Sequence, residues 1–184
     1  MPDELELKAV IPDQIAVRDK LLAAGAVEGF RGLMADRRYD RAGELAARDE
    51  VLRVRSYHRT DGRADAVLGW KGPTRRSVDG YKLREEIEVP VAASPHPLLI
   101  ALGYDVVHAI DRDVEVFGLD GATARLERYP DMDPLLEVEG APAAIERVIR
   151  ATGIDRAAFT ADSLAVFVRR YEARTGRRAV LARS

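Results

Sequence analysis

No cysteine occurs anywhere in the 184 residues. A disulfide scaffold, a thiolate nucleophile and a Cys-ligated zinc site are thereby excluded. Long apolar runs are missing too, and none approaches the length that a membrane-spanning helix needs. The opening, MPDELELK, is acidic and has no apolar h-region, so no secretory signal is expected and the expected compartment is the cytoplasm. Neither sign of charge prevails. Lys+Arg number 29 against 31 Asp+Glu, and the formal net charge of -2 gives no reason to expect nucleic acid or an anionic membrane as partner. Aromatic residues make up only 6% of the chain, which leaves few for stacking against a ligand ring. There is no G-x-x-x-x-G-K-[ST] phosphate loop. The DMD at Asp131–Asp133 lacks the glycine and spacing of an EF-hand. His58, His96 and His108 have no metal-like spacing and are expected to be structural or exposed.

What remains is ample apolar material, 47%, and abundant charge, 33%. That is enough for a core, and the length is that of one domain, residues 1–184. Residues 3–11 alternate as a strand should. PDQIAVRDKLLAAGA reads as a helix with Pro12 in its first turn and Gly25 at its end. A ragged strand is expected over 26–39, then a loop or hairpin turn at DRAGELAA. EVLRVRSY and ADAVLGWK pair about the Asp61-Gly62 turn. KGPTRRSVDG is a basic loop and YKLREEIEVPV one long strand ended by prolines. Ser94-Pro95 starts a short helix that runs through Leu102. VVHAIDRDVEVF and ATARLERY form a hairpin about Leu119-Asp120-Gly121, and LLEVEG adds a strand. APAAIERVIRATG and DSLAVFVRRYEARTG are helices that each end at a glycine. About eight strands, mostly in hairpins, with helices between and after them, predict an α+β fold with a largely antiparallel sheet that can close into a barrel.

The charges fall on one face of their strands. Residues two apart in a strand point the same way, so Glu4, Glu6 and Lys8 share a side opposite Leu5 and Leu7. Arg53 and Arg55 flank Val54; Lys82, Arg84, Glu86 and Glu88 oppose Leu83 and Ile87; Arg125 and Glu127 flank Leu126; Glu137 and Glu139 flank Val138. One explanation is an ordinary solvated sheet face. The other is a polar interior, which is costly unless its charges are paired or bind something. Carboxylates hold Mg²⁺ or Mn²⁺, and Arg and Lys grip phosphate oxygens, so a metal–polyphosphate would neutralise both sets.

E-L-E-L-K at Glu4–Lys8 resembles the E-x-E-x-K signature of the CYTH superfamily, the triphosphate tunnel metalloenzymes. LRVR (Leu52–Arg55), WKGP (Trp70–Pro73), KLREEIE (Lys82–Glu88) and LERYPDMDPLLEVEG (Leu126–Gly140) resemble further segments of that family in order and spacing. The resemblance implies one domain over residues 1–184: a closed eight-stranded antiparallel β-barrel within about 3–140, and C-terminal helices at about 142–176 packed outside. It implies Glu4, Glu6, Glu127, Glu137 and Glu139 as ligands of Mg²⁺ or Mn²⁺, with Glu127 standing where the family usually has Asp. Lys8, Arg53, Arg55, Lys71, Arg84, Arg112 and Arg125 match the phosphate-binding set. Lys8, Glu6 and Glu86 are the catalytic candidates; Lys82 and Glu88 share the parity. Arg75 and Arg76 would guard a mouth of the tunnel, and Trp70 would pack on its outer face.

Two positions depart from the pattern. AIDRDVEVF offers only Arg112 where the family has K-x-R, and RRYD puts Arg38 in place of an aromatic. The implied activity is metal-dependent hydrolysis of a triphosphate, with inorganic tripolyphosphate the first choice and thiamine triphosphate another. The alternatives are a class IV adenylate cyclase, making cyclic AMP and pyrophosphate from ATP, and a non-catalytic polyphosphate or nucleotide binder. The expected partner is a small-molecule triphosphate, without nucleic acid or membrane. A homodimer is compatible with the family, and no sequence feature decides it.

Overall fold

The computed structural model describes residues 5–76 and 82–183, with the side chains of Arg76, Lys82 and Leu83 left outside the description. In chain order the elements are β1 (Leu5–Val10), α1 (Gln14–Ala23), β2 (Val27–Asp40), α2 (Glu44–Ala47), β3 (Val51–Arg59), β4 (Ala64–Lys71), β5 (Arg75–Arg76), β6 (Lys82–Leu83), β7 (Glu86–Val91), α3 (His96–Ala101), β8 (Asp105–Leu119), β9 (Ala122–Arg128), β10 (Leu135–Gly140), α4 (Pro142–Thr152), a 3₁₀ turn (Arg156–Ala158) and α5 (Leu164–Thr175). Eight strands form one antiparallel sheet in the order β1-β10-β9-β8-β2-β3-β4-β7, and β5 pairs with β6 separately. The α+β, eight-stranded antiparallel class expected from the alternation is therefore present. The end strands of the order are β1 and β7, and no ladder among the described residues joins them. No described helix is long and apolar enough to cross a membrane.

Two compact units divide the chain. One comprises the residues up to Gly32 and those from Arg112 onward; the other is Leu33–Asp111. In the first, β1, β10 and β9 turn Ala9, Leu136, Val138, Ala124 and Leu126 to one face, where they share a core with Leu21 of α1 and with Ile145, Val148 and Ile149 of α4. The α4 residues Ala144, Ile145, Val148 and Ile149 recur at helical spacing, so one stripe of the helix is buried. Gly153, at φ 69°, ends that helix in the left-handed conformation that glycine adopts without strain. The N-terminus of α1 lies later than the sequence suggested. Asp13 accepts a hydrogen bond from the Ala16 N–H at 3.0 Å and is the N-cap, so Pro12 precedes the helix.

In the second unit, Tyr39, Val54 and Leu99 form a small core with Leu52, Leu68 and Tyr104 against it. Two local readings change here. DRAGELAA is not simply a loop, because Glu44–Ala47 form α2. The Asp40 carboxylate gathers the N–H groups of Arg41 (2.7 Å), Leu45 (3.0 Å) and Ala46 (3.1 Å), which satisfies donors that a helix start leaves open. Its pKa is held below the ordinary aspartate range, first by the Leu45 N–H. YKLREEIEVPV is not one strand but breaks between β6 and β7 at Arg84–Glu85. There the Gly72 N–H still donates to the Glu85 carbonyl at 2.8 Å, in register with Lys71 opposite Glu86, and Arg84 Nε donates to the Gly72 carbonyl at 2.7 Å. Pro90 lies inside β7 opposite Val67, in a strand at the end of the sheet order, where a missing N–H is tolerated.

The first unit's core sets a testable stability. Leu126 is fully buried. Leu126→Ala is expected to lower the unfolding free energy by about 2–5 kcal/mol, read from urea denaturation curves with unchanged slope.

Candidate functional site

The first unit carries a charged face built by register. Lys8 stands opposite Glu137, and Glu137 stands opposite Arg125, so three neighbouring strands form one rung of alternating charge. One step along, Glu6 is directly opposite Glu139, whose other neighbour is Thr123. A step the other way, Leu135 is opposite Glu127, which faces Val114 of β8. The alternate residues of the same strands are the core just described, so the face is fixed by the apolar side.

This face is largely withdrawn from water. Lys8, Arg112, Glu127 and Glu137 are buried, with Glu127 only 1% exposed. The ordinary solvated sheet face therefore does not describe them. Lys8 Nζ lies 3.0 Å from Glu137 Oε2 and also contacts Glu6, while Arg125 donates to Glu137 Oε1. Burial raises the Glu137 pKa, but the adjacent Arg125 and Lys8 outweigh it and hold the carboxyl below its ordinary value of 4.5. Arg112 Nε lies 3.0 Å from Glu127 Oε1, though the pair is not aligned as a hydrogen bond. On the far side, the Tyr129 hydroxyl donates to Glu127 Oε2 at 2.5 Å. Burial, followed by the Glu127 charge, pushes the Tyr129 phenol well above its ordinary value, so it stays a donor.

The second unit carries its own basic set. Arg55 Nε donates to Asp36 Oδ1 at 2.8 Å, and the two side chains are 14% and 5% exposed. Burial pulls the Arg55 pKa down, but Asp36 overrides it and raises the net value. Arg53, Gly69 and Glu88 are in line across β3, β4 and β7. Having no side chain, Gly69 leaves a gap across which Arg53 reaches Glu88 Oε1 at 2.7 Å; a Cβ there would sit 3.4 Å from Arg53 Nε and 3.5 Å from Glu88 Oε1. Lys71 is directly opposite Glu86 and pairs with it. Burial lowers the Lys71 pKa; Glu86 opposes that and Arg53 adds to it. Arg84 sits in the break between β6 and β7 rather than in a ladder, bonded to the Gly72 carbonyl and to Asp49.

The first unit thus brings together Glu6, Lys8, Arg125, Glu137 and Glu139, with Arg112 beside Glu127. The second holds Arg53, Arg55, Lys71, Arg84 and Glu86, with Arg75 exposed in β5. Glu4, and the side chains of Arg76 and Lys82, lie outside the described residues. Sequence reasoning missed Asp36, Asp49, Asp111 and Tyr129. Asp111 is 3% exposed and binds Arg37 at 2.7 Å. Tyr129 continues the 125, 127, 129 alternation and was the one that parity could have found. Among the described residues, no three carboxylate or histidine groups are placed to hold a metal ion by themselves.

No family model and no curated protein matches the sequence. Solved structures do. A protein of Vibrio parahaemolyticus known as a "putative adenylate cyclase" is 16% identical, with 90% of this chain and 97% of that one covered, at a TM-score of 0.70. The PH1819 protein of Pyrococcus horikoshii OT3 is 22% identical over 89% of this chain and 96% of its own, with a TM-score of 0.68. HpAC1 of Hippeastrum, a "putative adenylyl cyclase" described as having a dominant triphosphatase activity, is 17% identical over 95% of each chain, with a TM-score of 0.60. The chain has the fold of these proteins. At these identities the likeness concerns the fold. Within that fold, this chain's own register puts Val114 and Val116 on the charged face of β8 beside Arg112, opposite Glu127 and Arg125.

Two measurements check these pairings. Asp36→Ala strips the buried Arg55 guanidinium of its carboxylate and is expected to cost about 3–5 kcal/mol, with much of the loss recovered in Asp36→Ala/Arg55→Met. Glu137, with its depressed pKa, contributes stability that is complete above 4.5 and is lost as pH falls through the folded value. Denaturation midpoints below pH 4.5 are therefore expected to fall less steeply in Glu137→Gln than in the parent.

Proposed function

We propose that this protein hydrolyses a triphosphate in the presence of Mg²⁺ or Mn²⁺. The observation that carries the reading is the Glu6–Glu139 pair beside the Lys8–Glu137–Arg125 rung. Directly opposed residues have Cβ atoms roughly 4.5–5.5 Å apart, and like charges so placed repel. Lys8 contacts Glu6 from the next rung, and a divalent cation near the two carboxylates would remove the repulsion that remains. Two carboxylates suit Mg²⁺, which commonly takes one or two from the protein and completes its shell with water and substrate phosphate. Glu4, Glu127 and Glu137 would extend the set, as the resemblance implies.

A bound divalent ion supplies charge withdrawal from the phosphate oxygens. The chain's own part is grip and orientation. Lys8 and Arg125 already lie in a low-dielectric face, held in place by Glu137, and can present donors to phosphate oxygens without reorganising. Arg125 offers a planar fork suited to two oxygens. Arg53, Arg55, Lys71 and Arg84 are the further phosphate-binding candidates, with Glu86 setting the position of Lys71. Water attacks the terminal phosphorus in line, the bridging P–O bond breaks, and phosphate and the shortened polyphosphate leave. Glu6 is the candidate to orient that water. Inorganic tripolyphosphate ranks first, given an aromatic content of 6%.

The cyclase reading has support in the names of fold neighbours such as the Vibrio protein. HpAC1, described by a dominant triphosphatase activity, favours hydrolysis. Product analysis separates them. The purified chain is incubated with Mg²⁺ or Mn²⁺ and, separately, tripolyphosphate and ATP. Phosphate release from tripolyphosphate without cyclic AMP from ATP is expected. Cyclic AMP and pyrophosphate would establish the cyclase, and binding without turnover a polyphosphate binder. Glu6→Gln and Glu139→Gln are each expected to lower kcat/KM by about 10²-fold or more, the equivalent of several kcal/mol of lost charge stabilisation.

A further inference from the structure

The row that holds Glu6 and Glu139 continues across two more strands. Glu139 is directly opposite Thr123 of β9, and Thr123 is directly opposite Gly118 of β8. Counting by two from Arg125 and from Val116 puts both on the charged face, while Ala122, Ala124, Phe117 and Leu119 take the apolar side. Across four strands the row is carboxylate, carboxylate, hydroxyl, glycine. Two of its members have no use in the fold. Thr152, Thr160 and Thr175 each donate their hydroxyl to a neighbour. Among the described residues, the half-buried Thr123 hydroxyl has no hydrogen-bond partner. Gly118 is exposed and lies outside the left-handed region, and a Cβ there would meet nothing within 4 Å. Neither backbone nor packing asks for glycine, which inside a strand weakens pairing and marks places where something comes close. Its effect here is to keep space open beside Thr123.

Mg²⁺ gives up its waters reluctantly and keeps several when one or two carboxylates bind it. Those waters need room and hydrogen-bond partners. We propose that Thr123 is a positioning residue for the divalent ion: its hydroxyl accepts a hydrogen bond from a water of the ion's shell, and the space over Gly118 leaves room for that shell. Phosphate is left to the cations one rung away, Lys8 and Arg125. This assignment rests on the metal–triphosphate reading of the face.

The test is calorimetric binding to the full chain, without turnover as the readout. Thr123→Val keeps nearly the same shape and the same strand preference but removes the hydroxyl. With Mn²⁺ alone it is expected to bind roughly three- to tenfold more weakly than the parent, the size of one lost hydrogen bond. Thr123→Ser, which retains the hydroxyl, is expected to stay within about twofold. Gly118→Val fills the space and is expected to weaken Mn²⁺ binding by about the same factor as Thr123→Val. Nothing in the fold opposes the added side chain, so its urea midpoint should match that of the parent. With tripolyphosphate alone, both valine variants are expected to stay within about twofold of the parent. Equal Mn²⁺ binding in Thr123→Val and the parent overturns the assignment. So does a loss confined to tripolyphosphate, which would make Thr123 a phosphate contact, and so does an equal loss in Thr123→Ser, which would make the effect one of packing. Undiminished Mn²⁺ binding in Gly118→Val overturns the part given to the open space. A parent protein that binds no Mn²⁺ overturns the metal–triphosphate reading as well.

Discussion

Lys8, Glu137 and Arg125 stand directly opposite one another on three neighbouring strands, so each cation leaves water beside its anion. That pairing is what permits charges on the inner side of β1, β10 and β9 at all, since a lone ion in such surroundings would cost several kcal/mol. The same alternation commits Ala9, Leu136, Val138, Ala124 and Leu126 to the opposite side, where α1 and α4 cover them. The helices and the charged rung are therefore two consequences of one register.

The second unit meets the constraint by other means. Arg55 finds Asp36, and Arg53 passes over a glycine to reach Glu88, so here the missing side chain is as specific as the charged ones. Arg84 leaves the ladder and takes the Gly72 carbonyl instead. In every case the cation that the resemblance associates with phosphate is held by a carboxylate or a carbonyl. A phosphate would therefore enter by exchanging partners with charges already aligned, which keeps the reorganisation small.

Much of this was legible in the order of residues. Strict alternation in ELELK, LRVR, ARLER and LLEVEG gave both the strands and their charged sides, because a period of two leaves no other choice of face. The failures share a cause. Asp36 and Asp111 lie in stretches where buried residues do not alternate cleanly, and their partners, Arg55 and Arg37, come from distant positions that local pattern cannot relate. Asp40 hid a helix because a side chain that serves three N–H groups looks, in sequence, like one more loop aspartate. At the break after Leu83 the Arg84 side chain bonds the Gly72 main chain, a contact between positions twelve apart that local pattern does not show. Glu127 was identified by position in a motif, whereas its approach to Arg112 is a matter of tertiary contact.

The one-sided strands also limit how the chain can change length. Inserting one residue between Leu135 and Leu136 would turn Glu137 and Glu139 into the apolar core and Leu136 and Val138 onto the charged face, so a single event would damage packing and site together. Insertions of two residues preserve the faces but shift the rung against Lys8 and Arg125. The Asp120–Gly121 hairpin, where both residues adopt positive φ, lies outside both ladders of this alternation. Drift in length among relatives of this chain should accordingly gather in turns of that kind, while β1, β9 and β10 keep a constant count of residues between their charges.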